Sequence, residues 1–373
     1  MKVTNTTIKS TMRWAIPPEL SGYNYSAERA RIAANQGRLL TLRLETSNIC
    51  NLKCIYCNGA SGKKKNDELP FAMLKKAVAE VKSLGGKSVI VIGGGEPTIY
   101  PNFKELIQYI AGQEMIPVVI TNSSTLTLKL AKFLYVTGAS VLFKLDSLRK
   151  ETQDRLAGKA GAYEHIMRGM ENLFSVGFNK PVNGKLRCGA SFVVTKYNYQ
   201  EIPLLWSFCR DQGIYPNLEE FIPRGRGIDY ENQLCVSQAN LKALKQKLLS
   251  IDRLVYGYDW LVYTPLPGHG CLQHLYSVYL SCNGYIRPCA DIEVNLFNVK
   301  KMKIKEIIQT PFFNFVRNIE LHLEGKCFRC KHNNLCVGCR GNAFSLGIRE
   351  GQDVYKALCR EDPNCWNKTR KRN

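Results

Sequence analysis

From about residue 40, short apolar runs alternate with longer stretches whose apolar positions recur at helical spacing, the rhythm of parallel strands joined by helical crossovers. Six runs read as strands: Leu39–Glu45, Ser88–Ile92, Ile116–Thr121, Ser140–Leu145, Leu186–Thr195 and Leu218–Ile222. Between them Phe71–Leu84, Asn102–Gln113, Leu126–Thr137, Tyr163–Val176 and Tyr199–Gln212 have helical periodicity. Six β/α units cannot close an eightfold barrel. The pattern predicts an α/β fold, an open partial (β/α)6 TIM-like barrel with its working groups on the loops after the strand C-termini. The rhythm stops at Gly225–Leu234, and the helical stretches Ser237–Ile251 and Ile304–Glu320 then flank a cysteine-dense region. This divides the chain into an N-terminal extension (1–38), the barrel (39–234) and a small cysteine-rich α+β domain (235–373). No internal repeat and no low-complexity segment interrupts it.

Composition agrees with two folded units. The 373 residues exceed the roughly 250 to 300 at which a single core stops growing. Hydrophobic residues make up 45% and charged residues 22%, so a sizeable core can form. No apolar run approaches the roughly 18 residues of a membrane span, and MKVTNTTIKSTMRW has no signal-peptide pattern, which predicts a cytoplasmic protein with no membrane partner. Fifteen cysteines in such a chain read as metal ligands or plain core residues rather than disulfides. The net charge of +21 favours an acidic partner, an anionic substrate among them. Many lysines, as in Leu241–Leu249 and Val299–Ile307, fall at helical spacing and read as solvated faces; Lys368–Asn373 reads as a frayed basic end.

Directly after the first strand, Thr46–Cys57 carries Cys50, Cys54 and Cys57 in a CxxxCxxC loop. Three thiolates on a four-iron cluster leave one iron open to a chelating small molecule. The same thiols would also suit zinc with a distant fourth ligand. At the end of the second strand stands Gly93-Gly94-Gly95-Glu96-Pro97, where glycines permit close backbone approach and a carboxylate can accept from an ammonium group. A tight strand-to-helix turn explains a glycine run equally well.

Together Cys50-Asn51-Leu52-Lys53-Cys54-Ile55-Tyr56-Cys57 and Gly94-Gly95-Glu96-Pro97 resemble the signature of the radical S-adenosylmethionine superfamily, one β/α unit apart as that family requires. The resemblance implies a 4Fe-4S cluster on the three cysteines whose open iron is chelated by S-adenosylmethionine. Reductive cleavage would then release a 5′-deoxyadenosyl radical that abstracts a hydrogen atom. It further implies that Tyr56 packs near the adenine and that Gly94, Gly95, Glu96 and Pro97 hold the methionine amino group. By resemblance, Asn122 and Ser191 contact cofactor or face substrate; a cap or turn role competes. Lys144, Asp146 and Glu220 are the candidates near the reacting centre.

Nine more cysteines lie beyond residue 265. Cys327-x2-Cys330-x5-Cys336-x2-Cys339 alone would make a zinc-ribbon fragment. Cys271 to Cys289, with Asn283-Gly284 as a turn, resembles the opening of a SPASM domain, the auxiliary-cluster extension of many radical enzymes. Two residues rather than three between Cys336 and Cys339 depart from the sulfatase-maturase pattern. The resemblance implies one auxiliary iron–sulfur cluster on Cys327, Cys330, Cys336 and Cys365. Another would sit on Cys271, Cys289 and Cys339 with an open or Cys282-supplied fourth position. Cys359 competes with Cys365. Cys188, Cys209 and Cys235 read as buried thiols; His269 and His274 flank Cys271 with packing or capping as the simpler role; Arg226 faces an anionic substrate group or a solvated turn.

The expected activity is hydrogen abstraction from a small molecule or a peptide, for oxidation, epimerisation or decarboxylation, with ferredoxin or flavodoxin as electron donor. A peptide- or protein-modifying maturase forming C–C or C–S bonds is the alternative. Of a different class is a non-catalytic iron–sulfur or zinc scaffold binding RNA; the open iron site and Glu96 count against it, so nucleic acid is not the expected partner.

Overall fold

The computed structural model describes residues 15–264, 266–268 and 271–367; His269 and the basic tail 368–373 lie outside them. The first half contains α1 (Ala27–Asn35), β1 (Thr41–Leu44), α2 (Phe71–Ser83), β2 (Ser88–Val91), α3 (Phe103–Gly112), β3 (Ile116–Thr121) and α4 (Leu128–Val136). It continues through β4 (Ser140–Lys144), α5 (Lys150–Ala157), α6 (Ala162–Ser175), β5 (Cys188–Val194), α7 (Ile202–Asp211) and β6 (Tyr215–Glu220). Beyond lie α8 (Glu231–Leu234), α9 (Gln238–Ile251), β7 (Leu261–Val262), β8 (Pro267–Gly268), α10 (Gln273–Tyr276), β9 (Ser277–Leu280) and β10 (Ile286–Arg287). The C-terminal helices are α11 (Ile304–Ile307), α12 (Pro311–Arg317), α13 (Gly325–Phe328), α14 (Arg340–Arg349) and α15 (Val354–Cys359).

All six expected strands pair in parallel in chain order, forming the partial barrel. Every residue of β1, β2 and β5 is buried, as a parallel sheet covered on both faces requires. Periodicity does not reveal the sheet's other edge. Strand β9 pairs in parallel with β1, Thr41 opposite Ser277, and β10 pairs antiparallel with β9. The sheet therefore has eight strands, and two of them come from beyond residue 235.

Helices α1 and α5 are also absent from the hydrophobic pattern. In α5, KETQDRLA, only Gln153, Leu156 and Ala157 are buried, too narrow an apolar stripe to register. The stretch expected to be helical over Ile304–Glu320 is broken into α11, α12 and a short 3-10 turn. Pro311 has no N–H for a helix interior, and the Thr310 hydroxyl caps the fresh start at α12. One apolar core runs through both regions: Leu44, Val91, Phe143 and Phe192 of the barrel belong to the same cluster as Ile304, Phe313 and Leu358.

Candidate active site and cluster-binding sites

A cavity of about 450 Å³ opens at the C-terminal ends of the barrel strands. Cys50, Cys54 and Cys57 line it together with Tyr56, Gly93–Glu96, Asn122, Lys144, Ser191 and Glu220, so the sequence brings nearly all its candidates to one place. Part of the wall comes from beyond residue 235, including Tyr279, Arg287 and Asp291.

The cysteine loop is held from two sides by glycines. A Cβ on Gly95 would lie 1.8 Å from the Ile49 carbonyl oxygen, a contact no side chain permits, and the Gly95 and Glu96 amides donate to the Ser47 and Ile49 carbonyls at 2.8 Å each. Gly225 sits at φ +52, where a Cβ would lie 2.3 Å from the Asn58 oxygen. The next residue then clamps the loop: Arg226 donates from its backbone to Cys57 O (3.0 Å), and from Nη1 and Nη2 to Cys54 O (2.9 Å) and Ser61 O (2.7 Å). Arg226 thus serves the loop, neither a solvated turn nor a substrate contact.

Burial pushes the Cys54 thiol up to about 12, and the nearby Asp146, Cys57 and Cys50 add to it. Cys50 is raised by burial and by Glu96 and Cys57. Two buried thiols so reluctant to ionise without a cation, with Cys57 beside them, suit a polycation that takes all three as thiolates. Among the described residues no group of three or more His, Cys, Asp or Glu is placed to hold a single metal ion.

Glu96 is buried and fixed. Its Oε1 accepts from Thr121 Oγ1 (2.6 Å), Thr98 Oγ1 (2.5 Å) and Thr98 N (3.0 Å), and Oε2 accepts from Asn122 N (2.7 Å). Burial raises its pKa against these donors. Pro97 begins the 3-10 turn that Glu96 caps. The Asn122 side chain donates to Asn51 (2.9 Å), accepts from Ser124 N and Oγ as in a turn, and also meets the Cys50 thiol at the cavity wall.

Strand register builds a polar row inside the barrel: Lys144 of β4 lies opposite Ser191 of β5, and Ser191 opposite Asn217 of β6. Ser191 Oγ donates to Glu219 Oε1 (3.2 Å) and Asn217 Nδ2 donates to the same oxygen (2.8 Å). Asn217 and Glu219 escaped the sequence reading, although polar residues two apart on a buried strand are the signal that finds them. Burial works to lower the Lys144 pKa, but Asp146 and Glu219 outweigh it and hold the ammonium above its ordinary value. Its Nζ stands 5.2 Å from the centre of the Tyr56 ring.

Two candidates for chemistry are engaged by neighbouring side chains. Asp146 is fully buried behind the wall, accepting from Tyr56 Oη (2.5 Å) and Val193 N (2.8 Å) and pairing with Lys144 (3.4 Å); it orients Tyr56 and Lys144 and does not reach the cavity. Glu220 touches the cavity but is taken up by Lys245 Nζ at 2.5 Å and by Asn364 Nδ2 at 3.2 Å.

The C-terminal cysteines form two groups. Cys336, pushed up to about 12 by burial, also feels Cys365 and Cys327, and Cys327 feels Cys330. Cys365 feels Cys327 of this group, whereas the charges acting on Cys359 are those of Glu324, Arg340 and Asp353. Cys289, pushed up to about 12, feels Cys271, and Cys339 feels Cys289. Cys282 is held at Glu45, whose Oε2 accepts from its backbone N–H at 2.8 Å, and burial first, then Glu45, push its thiol up to about 12. His274 faces Arg340, Arg31 and Arg317, and burial first, then these charges, lower it to about 3. The Asn283-Gly284 turn is present, with Gly284 at φ +98.

Orphaned polar atoms gather at both groups. Arg43 Nε and Nη2, beside Cys289 and Cys271, have no partner; nor has Tyr263 Oη, beside Cys336 and Cys330, nor Arg340 Nε, whose Nη2 reaches Cys327 Sγ at 3.7 Å, while the Thr264 hydroxyl faces the Cys365 thiol. Such donors left idle in the interior are costly unless acceptors arrive, and cluster sulfides are acceptors. The residues fit iron–sulfur clusters at both places.

Residues 44–205 match the Radical SAM superfamily, and residues 271–339 match SPASM, an iron-sulfur cluster-binding domain. The chain belongs to the radical S-adenosylmethionine superfamily and carries a SPASM domain, which makes it an enzyme with S-adenosylmethionine and 4Fe-4S clusters as cofactors. It is 27% identical over 343 residues to an AdoMet-dependent heme synthase of Methanosarcina barkeri, covering 83% of this chain and 93% of the relative. To the mycofactocin maturase MftC of Mycobacterium ulcerans it is 26% identical over 326 residues, covering 83% and 85%. The fold is that of Streptococcus suis SuiB bound to S-adenosylmethionine, with a TM-score of 0.68 at 18% identity over 91% of this chain and 81% of that one; SuiB has also been solved bound to its precursor peptide SuiA. No helix among the described residues is long and apolar enough to cross a membrane.

Proposed function

We propose that the chain oxidises a peptide, inserting one side chain into the barrel cavity. Cys50, Cys54 and Cys57 hold the cluster that binds S-adenosylmethionine; Gly94, Gly95, Glu96 and Pro97 cradle its methionine end, and Tyr56, Asn122 and Ser191 border the rest. Cys327, Cys330, Cys336 and Cys365 hold one auxiliary cluster, and Cys271, Cys289 and Cys339 another, in a domain spanning 235–373 after a barrel of 39–234. When bound, the first cluster and S-adenosylmethionine would supply a 5′-deoxyadenosyl radical that takes one hydrogen atom from the substrate, and the auxiliary clusters would accept the electron left on the substrate radical. Lys144, kept an ammonium by its carboxylate neighbours, holds a carbonyl or carboxylate of the substrate. Glu219, whose Oε2 has no donor among the described residues, takes up the proton that substrate oxidation releases. The electron donor is a ferredoxin or flavodoxin, and the site of action is the cytoplasm.

Cavity size carries the choice of substrate. About 450 Å³ lies low in the range of roughly 300 to 1,000 Å³ for one small-molecule site. With S-adenosylmethionine inside, the remainder suits a single side chain whose peptide stays outside, not a whole macrocycle. Net charge does not argue for an anionic substrate, because six carboxylates line the cavity (Glu45, Glu96, Glu219, Glu220, Asp291 and Glu293) against Lys65, Lys144, Arg224 and Arg287. The test is anaerobic reconstitution with iron and sulfide, then 5′-deoxyadenosine measured by chromatography with reductant and S-adenosylmethionine. Wild type should form it and Cys54→Ala should not. Turnover stimulated by peptides and not by tetrapyrroles supports the substrate reading, and the reverse would sink it.

A further inference from the structure

Three thiols, Cys271, Cys289 and Cys339, face a four-iron cluster with one ligand too few, while Cys282 is engaged with Glu45. We propose that Asp291 is the fourth ligand, binding through Oδ2 the iron corner that these cysteines leave open. The inference rests on the auxiliary-cluster reading above.

Asp291 follows Cys289 by two residues, and its backbone N–H donates to the Cys289 sulfur. From the other side comes the start of α14, two residues after Cys339: a Cβ on Gly341 would lie 2.3 Å from Asp291 Cβ. The Cys339 sulfur is itself fixed at this helix start by the Asn342 amide at 3.3 Å. Asp291 is thus wedged between two of the three cysteines, and its carboxylate acts electrostatically on all three thiols. One oxygen is already used to orient it: Oδ1 accepts from Asn58 Nδ2 at 2.6 Å and pairs with Arg224 at 3.5 Å. No hydrogen bond among the described residues reaches Oδ2, leaving it for a metal. Across the group, Arg43 presents its two unpartnered nitrogens, a counter-charge for a cluster carrying four anionic ligands.

Binding forms one iron–oxygen bond and displaces whatever solvent held that corner, with no change in oxidation state. Because Asp291 also lines the main cavity, it places the auxiliary cluster at the cavity wall while closing that cluster to outside ligands.

The experiment uses the full chain with Cys50, Cys54 and Cys57 all changed to alanine, so that only the C-terminal cysteines load iron. Reconstituted protein without iron there would overturn the auxiliary clusters themselves, and this inference with them. With iron present, cyanide is titrated and followed by electron paramagnetic resonance of the reduced clusters. The expected result is no cyanide adduct in this background, one adduct when Asp291→Ala is added, and none with Asp291→Cys. Cyanide binding equally with and without Asp291 would overturn the proposal, as would an Asp291→Ala spectrum unchanged and silent to cyanide. Should Asp291→Ala fail to fold, cyanide refusal by the background and a restored 4Fe-4S spectrum in Asp291→Cys support it; an adduct in either overturns it.

Discussion

Tyr263 and Thr264 are both buried and adjacent in sequence; the Tyr263 hydroxyl has no partner, and the Thr264 hydroxyl faces the Cys365 thiol. Cys336 Sγ lies 3.0 Å from the Thr264 carbonyl, Tyr263 is beside Cys336 and Cys330, and the Thr264 hydroxyl faces Cys365, so both hydroxyls sit against the four-cysteine group. Hydrogen bonds to cluster sulfurs favour the reduced, more negative state. Tyr263→Phe and Thr264→Val should each lower the reduction potential of that cluster, read by a redox titration followed by electron paramagnetic resonance; unchanged potentials would mean the hydroxyls serve packing alone. Residues of this kind show the limit of sequence reading. The cysteines stand out because their spacing is their chemistry, and Glu96 because it sits inside a motif. Tyr263, Arg43 and Glu219 are ordinary residues whose significance is a neighbour far away in the chain. Asp146 and Lys144, two apart on the same segment, look alike in sequence; only the structure shows one at the cavity and the other behind Tyr56.

At the scale of elements, strands β1 to β6 were legible because a buried parallel strand is a short apolar run, while β9 and α5 were not. The four residues of β9 lie among cysteines and turns, and α5 buries too little to mark itself. Loops gain their precision from backbone contact, which leaves a trace only as glycine. Gly225 is such a trace: alanine there meets an αL penalty of about 1 to 2 kcal/mol and, in addition, a Cβ 2.3 Å from Asn58 O and 2.7 Å from Cys57 O. Gly225→Ala should therefore strip iron from the first site and abolish 5′-deoxyadenosine formation, with iron at the C-terminal cysteines retained. Iron content measured against a Cys54→Ala control checks this, and full loading would show that the loop relaxes around the methyl group.

On the scale of the whole molecule, the barrel and the cysteine-rich region form one body. They share a sheet through β1 and β9, a core, and a buried ion pair between Glu220 at the end of β6 and Lys245 on α9, with Trp366 against the ammonium. Breaking a buried pair by removing one partner costs about 3 to 5 kcal/mol, because the remaining charge stays in the interior. Lys245→Met should destabilise the protein by about that amount, and Glu220→Gln together with Lys245→Met by clearly less, as measured by denaturant unfolding of the two variants. The sign of the pH dependence follows from Glu220, whose carboxyl burial raises while Lys245 opposes. Without Lys245 burial prevails, so the folded carboxyl binds its proton more tightly than the unfolded one. The deficit of Lys245→Met should then be smallest below about pH 4, where both states are protonated, and should grow as pH rises through the raised folded value. A deficit independent of pH would place the cost in lost packing around Trp366. Unaltered stability in both variants would return Glu220 to the cavity as a group free for chemistry.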